Sequence, residues 1–321
     1  MDIIESDTFL KLYAQRLGLP EEYLLDVQPT LELLCNLQER QLFHIPFENL
    51  AQHGAAGGPV DLNLPDIAHK ILVRRRGGFC LELNSLYAHL LRQCGFVVTI
   101  IEATVFKNET FDGVSPSHVC LMVEITENNS DDDCDYSSSS QLYYVDVGFG
   151  EPPLHPLQMM RFEHQEQKLI ITPEGMRSRL VPTDNGDAVL EWHQNGRWEP
   201  RLKWKIPDKT TKSLSLQDMD CILQEVSKET SIFSKKLVVC RLTRDQKHTV
   251  AGSTYKITGS PRFPMVECIN TTVPIQKTEG LPLKQIQEIL LQEFGIPLAE
   301  TMSLQLDKSN QIDSADIWAT W

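Results

Sequence analysis

The chain has 321 residues, and its 30 Lys and Arg residues against 44 Asp and Glu residues give a formal net charge of −14. With 41% hydrophobic residues it has material for one large domain or two to three smaller ones. The acidic balance argues against a nucleic-acid-binding surface. No apolar run approaches the ~20 residues that cross a bilayer, and segment 1–7 lacks the basic start of a secretory signal. We therefore expect neither nucleic acid nor membrane as a partner.

The first hundred residues have a helical pattern. Apolar residues with helical spacing predict helices over 7–17, 31–42 and 65–74. The clearest stripe runs from Leu83 to Cys94, and Gly95 follows as a natural helix end. The run Arg76-Gly77-Gly78-Phe79-Cys80 precedes it, so this helix begins at or beside Cys80.

From residue 96 the hydrophobic pattern changes from the helical spacing to the two-residue alternation of strands. Strands are predicted over 96–106, 118–125 and 142–149, and the second alternates with Val119 and Leu121 on one face and His118 and Cys120 on the other. The acidic, serine-rich segment 128–140 is typical of a solvated loop, so the last two strands should form a hairpin around it. Later strands are predicted over 169–172, 188–192, 198–206, 237–243, 253–257 and 265–269, helices over 216–225 and 282–294, and a docked tail over 298–321.

The eight cysteines are spread along the chain without a C-x-x-C pair or a Cys/His cluster of zinc-ligand spacing. This pattern favours a cytoplasmic chain with reduced thiols and no metal site. In such a chain one thiol can be a nucleophile, while the others are small core residues.

Cys80 is the candidate nucleophile. A thiol at a helix N-terminus experiences the positive end of the helix dipole, which favours the reactive thiolate. The alternative is a buried core cysteine, but two glycines directly before the helix start favour the functional interpretation.

His118 and Asp146 are the candidate base and its partner. A hairpin centred near residue 132 places the two roughly opposite each other, where side chains on neighbouring strands meet. The carboxylate would then hold one imidazole nitrogen and leave the other for Cys80. The alternatives are a satisfied core or surface histidine and a turn aspartate before Gly148.

Four motifs in order carry a resemblance to a known family. They are Pro46-Phe47-Glu48-Asn49-Leu50, then Arg76-Gly77-Gly78-Phe79-Cys80-Leu81-Glu82-Leu83-Asn84, then His118, then Val145-Asp146-Val147-Gly148-Phe149-Gly150. Together they resemble the arylamine N-acetyltransferases. The likeness is detailed in the first half of the chain, and the segment between His118 and Asp146 departs from it by being longer.

The resemblance implies an α+β multidomain fold with a cysteine-protease-like Cys-His-Asp core. Its parts would be an N-terminal helical bundle over 1–97, a central β-barrel over 98–207 and a C-terminal α/β lid over 208–321. The implied activity is ping-pong transfer of acetyl from acetyl-CoA to arylamines or arylhydrazines, as in xenobiotic metabolism, with no metal and no obligate protein partner. The residues that it implies are Cys80, His118 and Asp146 for catalysis, Phe47, Ser117 and Phe149 for the amine, and Ser115 and Thr230 for coenzyme A.

Further interpretations concern the surroundings of this site. Glu48 and Arg76 are expected to pair and brace the nucleophile loop, whereas Arg74 and Arg75 are expected to be solvated rather than to attract coenzyme phosphates. For Phe106 we expect ordinary core packing. Three competing hypotheses remain. The triad could use another acyl donor such as malonyl-CoA, or the chain could be a cysteine hydrolase or transglutaminase-like enzyme. The third alternative is a non-catalytic binding protein that retains the fold.

Overall fold

The computed structural model describes residues 7–56, 62–126, 140–159, 170–171, 177–194, 197–244, 246–259 and 274–306. Residues 128–139 of the loop predicted over 128–140, the predicted strand over 265–269 and residues 307–321 of the tail lie outside these ranges. Within them, no helix combines the length and the apolarity that a membrane crossing requires.

The N-terminal part is helical, as predicted. Its helices are α1 (Asp7–Arg16), α2 (Leu31–His44), α3 (Leu64–Ala68) and α4 (Cys80–Gln93), and a π-helical turn, His69–Val73, continues α3. Helix α2 starts at Thr30, whose hydroxyl accepts a hydrogen bond from the backbone N–H of Leu33. After α2 comes a two-residue strand, β1 (Phe47–Glu48).

The middle of the chain forms an eight-stranded antiparallel sheet. Its strands are β2 (Val97–Val105), β3 (His118–Thr126), β4 (Ser140–Val145), β5 (Leu157–Met159), β6 (Ile170–Ile171), β7 (Arg177–Pro182), β8 (Asp187–Gln194) and β9 (Arg197–Lys205). Their order is β5-β4-β3-β2-β9-β8-β7-β6. Because β5 contacts β7, the sheet curls into a nearly closed barrel.

The C-terminal part contains both helices and strands. It comprises α5 (Asp220–Ser227), α6 (Ile232–Lys235), β10 (Val238–Leu242), β11 (Gln246–Ala251), β12 (Thr254–Gly259), β13 (Pro274–Thr278), α7 (Leu283–Phe294) and α8 (Leu298–Thr301). A second sheet has the order β1-β10-β11-β12-β13, with Phe47 opposite Cys240. Strand β1 therefore fixes the segment before the nucleophile helix to the C-terminal sheet.

Strand β3 separates two of the three hydrophobic cores. Val119, Leu121 and Val123 pack in the helical core, whereas Cys120 and Met122 pack inside the barrel. The predicted alternation is correct, and both faces of the strand are buried. A third core lies between the second sheet and α7. The predicted α+β order of helices, barrel and mixed region is confirmed, while the exact domain boundaries stay a prediction.

Five strands of the described residues escaped the sequence analysis, namely β1, β5, β7, β11 and β13, and one predicted strand is too long. Strand β11 carries the polar run Gln246–Thr249 although Lys247, His248 and Thr249 are buried, so no apolar alternation marks it. The strand predicted over 142–149 ends at Val145, because the Asp146 carboxylate accepts a hydrogen bond from the backbone N–H of Gly148 and turns the chain.

Candidate active site

Cys80 is the first residue of α4 and is 4% exposed. The carboxylate of Glu82 accepts a hydrogen bond from the backbone N–H of Phe79 at 3.2 Å, which satisfies one free donor of the helix start. A Cβ on Gly77 would lie 1.9 Å from the carbonyl oxygen of Pro46. Glycine is thus required here for close backbone packing, and this packing sets the position at which the helix and its thiol begin.

His118 opens β3, and its Nε2 lies 2.7 Å from Oδ2 of Asp146. The β3–β4 register pairs Leu121 with Val145, so Asp146 follows opposite Cys120, two residues from His118. The two side chains meet diagonally across the hairpin rather than directly opposite, within reach for such a pair. The structure therefore brings the predicted pair together despite a two-residue offset in the predicted register.

Asp146 is fully buried and accepts four hydrogen bonds. Its Oδ1 accepts from Asn84 Nδ2 at 3.0 Å and from the Gly148 N–H at 2.8 Å, and its Oδ2 accepts from His118 and from the Tyr144 hydroxyl at 2.9 Å. Such donors stabilise the ionised carboxylate. They also fix its plane, so that one oxygen faces the imidazole.

His118 is buried beside this carboxylate. Burial alone would lower the pKa of the imidazole, but the charge and hydrogen bond of Asp146 outweigh it and raise the pKa of His118 to about 10. A side-chain hydrogen bond links His118 to Cys80 as well. The arrangement therefore places beside the thiol a base that can accept its proton.

Asn84 and Tyr144 are site residues that the sequence analysis missed as such. Asn84 lies one helical turn after Cys80, and its Oδ1 also accepts a hydrogen bond from the Val147 N–H at 3.0 Å. Tyr144 lies two residues before Asp146, on the same face of the chain. The spacing from Cys80 and from Asp146 is the signal that could have indicated both.

A cleft of about 300 Å³ opens onto Cys80 and His118. The five predicted ligand contacts all line it, namely Phe47, Ser115, Ser117, Phe149 and Thr230. Phe106 lines it too and packs edge-on against Phe111, so the expectation of mere core packing for Phe106 is wrong. Ser231 and Phe233 were missed, since α6 has only four residues and shows no helical period.

Gly148 lies where the chain passes closest to the nucleophile. A Cβ at this position would lie 2.7 Å from the Cα of Cys80 and 2.8 Å from Nδ2 of Asn84. Although Gly148 also lines the cleft, its lack of a side chain accommodates the α4 backbone.

Beneath the nucleophile loop lies a buried ionic network. Nε and Nη2 of Arg76 donate to the two carboxylate oxygens of Glu48 at 3.0 and 3.1 Å, as expected, and both side chains are fully buried. Lys70 pairs with Glu82 at 2.8 Å. Arg74 is paired with Glu300 rather than freely solvated, which corrects the expectation for that residue.

No metal-binding group of three or more His, Cys, Asp or Glu side chains occurs among the described residues. Six cysteines are described, and each carries a free thiol; they are Cys35, Cys80, Cys94, Cys120, Cys221 and Cys240.

The chain is similar to known proteins over most of its length. Residues 30–303 match the N-acetyltransferase family model. Arylamine N-acetyltransferase 2 of Rattus norvegicus is 26% identical over 283 residues, covering 84% of this chain and 88% of the rat chain.

Solved structures share the fold at low identity. The arylamine N-acetyltransferase of Salmonella typhimurium superposes with a TM-score of 0.69 at 22% identity, over 98% of this chain and 97% of that one. The Mycobacterium marinum enzyme in complex with CoA gives 0.69 at 22%, over 93% and 99%. The family match over most of the chain leads to the conclusion that this protein belongs to the arylamine N-acetyltransferase family of acyltransferase enzymes.

Proposed function

We propose that the chain transfers the acetyl group of acetyl-CoA to the nitrogen of arylamines or arylhydrazines through an acetyl-Cys80 intermediate. The observation that carries the proposal is the contact of Cys80, His118 and Asp146 at the base of the cleft. A thiol, a base and a buried carboxylate in this order are the parts of an activated nucleophile.

In the first half-reaction, His118 takes the Cys80 proton and the sulfur attacks the thioester carbonyl of acetyl-CoA. A carbon–sulfur bond forms to Cys80, the bond to the coenzyme sulfur breaks, and His118 returns its proton to the departing thiolate. The exchange of one thioester for another is nearly balanced. Asp146 stabilises the imidazolium throughout.

In the second half-reaction, the amine enters the space left by coenzyme A. Its nitrogen attacks the acetyl carbon, His118 accepts the amine proton, and Cys80 leaves as thiolate. The amide is more stable than the thioester, so this step runs downhill. The two half-reactions share one nucleophile and one base, which gives the ping-pong order.

The cleft lining fits these two substrates. Phe47 and Phe149 present aromatic rings that suit a flat arylamine, and Ser117 lies beside Cys80, whose Sγ is 3.9 Å from the Ser117 carbonyl oxygen. Ser115 and Thr230 offer hydroxyl groups for the polar groups of coenzyme A. We assign the first three to the amine and the last two to the coenzyme.

A second candidate keeps the triad but uses malonyl-CoA. Lys107 and Lys235 line the same cleft, and either ammonium group would attract the free carboxylate of a malonyl donor. Competition between acetyl-CoA and malonyl-CoA for one arylamine separates the two candidates. A strong preference for the malonyl donor would overturn the acetyl assignment.

Intact-protein mass spectrometry tests the proposal against a cysteine hydrolase. Incubation with acetyl-CoA should add one acetyl group, which peptide analysis should locate on Cys80. Cys80→Ser should lose this product and all turnover, whereas Cys221→Ser, which removes an exposed thiol of α5, should retain both. Without CoA-dependent acylation the hydrolase gains support, and unchanged arylamine acylation by Cys80→Ser excludes Cys80 from the mechanism.

The free thiols also support the proposal that the protein is located in the cytoplasm. A nucleophilic cysteine must stay reduced, and the six described cysteines carry no disulfide. A reducing compartment such as the cytoplasm meets this requirement.

A further inference from the structure

Tyr144 contacts the least accessible member of the triad. Its side chain lies on β4, is 1% exposed, and donates its hydroxyl proton to Oδ2 of Asp146 at 2.9 Å. The same oxygen accepts the hydrogen bond from His118. With Asn84 and the Gly148 N–H on Oδ1, the four acceptor positions of the carboxylate are all used.

We propose that Tyr144 is a positioning residue for the transfer reaction: its hydroxyl holds the Asp146 carboxylate and aims Oδ2 at His118. The proposal rests on the proposed function, because it assigns Tyr144 a role behind the triad. Tyr144 touches neither substrate, since it lies outside the set of described residues that line the cleft.

The surroundings of Tyr144 hold its hydroxyl in the position from which it donates to Asp146. Its ring stacks on Trp204 of β9, with centroids 4.8 Å apart and planes at 18°, which holds the phenol in place. Burial, with the neighbouring Asp146 charge, raises the pKa of Tyr144 well above its ordinary value. The hydroxyl therefore stays protonated at neutral pH and acts as a donor to the carboxylate.

The other titratable groups around Asp146 do not replace this donor. From β3 come His118, which carries the catalytic proton, and Cys120, whose pKa burial raises well above its ordinary value. From α4 comes Cys80, which reaches Asp146 through His118. Oδ2 of Asp146 thus accepts hydrogen bonds from His118, which transfers protons, and from Tyr144, which does not.

Removing the Tyr144 hydroxyl takes away one of the two side-chain donors to Oδ2 of Asp146. A hydrogen bond to a charged group is worth enough to change an equilibrium by about tenfold or more. The carboxylate would then hold the His118 imidazolium less firmly, and the Cys80 thiolate that this imidazolium stabilises would form at higher pH.

The test compares Tyr144→Phe with Tyr143→Phe. Both changes remove one buried phenol oxygen, but the Tyr143 hydroxyl donates to Gln141, and its ring packs in the helical core. The rate at which iodoacetamide alkylates Cys80 is measured against pH, with the Cys80 peptide quantified by mass spectrometry. This readout requires no acetyl transfer, so it stays informative if the proposed function fails.

We expect the acid limb of the Cys80 alkylation profile to move up by about one pH unit in Tyr144→Phe and to stay in place in Tyr143→Phe. We further expect kcat/KM for acetyl-CoA below that limb to fall by about tenfold, with KM for the amine unchanged. An unshifted profile, a shift to lower pH, or an equal shift in Tyr143→Phe would overturn the proposal. A Tyr144→Phe chain that loses its cooperative thermal transition would also overturn it, because the role would then be structural.

Discussion

Replacing Asp146 by asparagine removes the charge that holds the proton on His118 while it keeps the shape of the side chain. The pKa of His118 is raised from 6.5 to about 10, and burial alone acts in the opposite direction. A shift of this size corresponds to on the order of 5 kcal/mol of preference for the imidazolium. In Asp146→Asn this preference disappears, so the thiolate–imidazolium pair loses its main source of stability.

We expect kcat/KM for acetyl-CoA at neutral pH to fall by about three orders of magnitude in Asp146→Asn. The assay is the rate of acetyl-Cys80 formation under single-turnover conditions, with the His118 titration followed by NMR. Asp112→Asn, an exposed carboxylate on the loop between β2 and β3, is the matched control and should behave as wild type. A His118 pKa that stays near 10, or a rate within a few-fold of wild type, would refute the reasoning.

The remaining predictions concern the scaffold of the site. Gly148→Ala should lower the unfolding free energy by about 1–3 kcal/mol and slow Cys80 alkylation, because the new Cβ meets the α4 backbone. Urea unfolding measures the loss of stability. An unchanged urea midpoint together with an unchanged alkylation rate would contradict this prediction. Arg76→Met leaves Glu48 charged and buried without its main partner, which should lower the unfolding free energy by about 3–5 kcal/mol. Arg75→Met, a change at an exposed arginine, is the control, and equal stabilities of the two variants would argue against the network. Because the folded-state pKa of His118 exceeds its unfolded value, its stabilising contribution is complete below pH 6.5 and is lost as the pH rises through about 10. Thermal unfolding from pH 6 to 10 should reveal this loss in wild type, and a similar loss in His118→Gln would assign it to other groups.

The sequence predicts the parts of the fold whose pattern is local. Helix α4 and strand β3 were predicted with starts at Cys80 and His118, because one has an uninterrupted apolar stripe and the other a regular alternation. Strand β11 has neither, since Lys247, His248 and Thr249 are polar although they are buried, and Lys247 is paired with Glu151, which is distant in sequence. Tertiary pairing, rather than local pattern, determines that strand.

The candidate site also has parts that the sequence predicts and parts that depend on tertiary structure. Residue type and motif spacing were sufficient to select Cys80, His118 and Asp146, but the diagonal contact of His118 with Asp146 depends on a register that the sequence predicted two residues off. Phe106 illustrates the same limit, because its side chain direction follows from how the barrel meets the cleft. The roles of these residues stay predictions until they are measured.

The central claim is that one sulfur carries the acyl group between two substrates, and a chase experiment tests it most directly. The enzyme is first loaded with acetyl-CoA and freed of excess donor, and an arylamine is then added while intact mass and product are followed together. The account predicts acetyl on Cys80 that disappears as N-acetylated amine forms, at a rate no slower than kcat. Acetyl that stays on Cys80 after the amine is added, in an enzyme that forms N-acetylated amine once acetyl-CoA is restored, would contradict it.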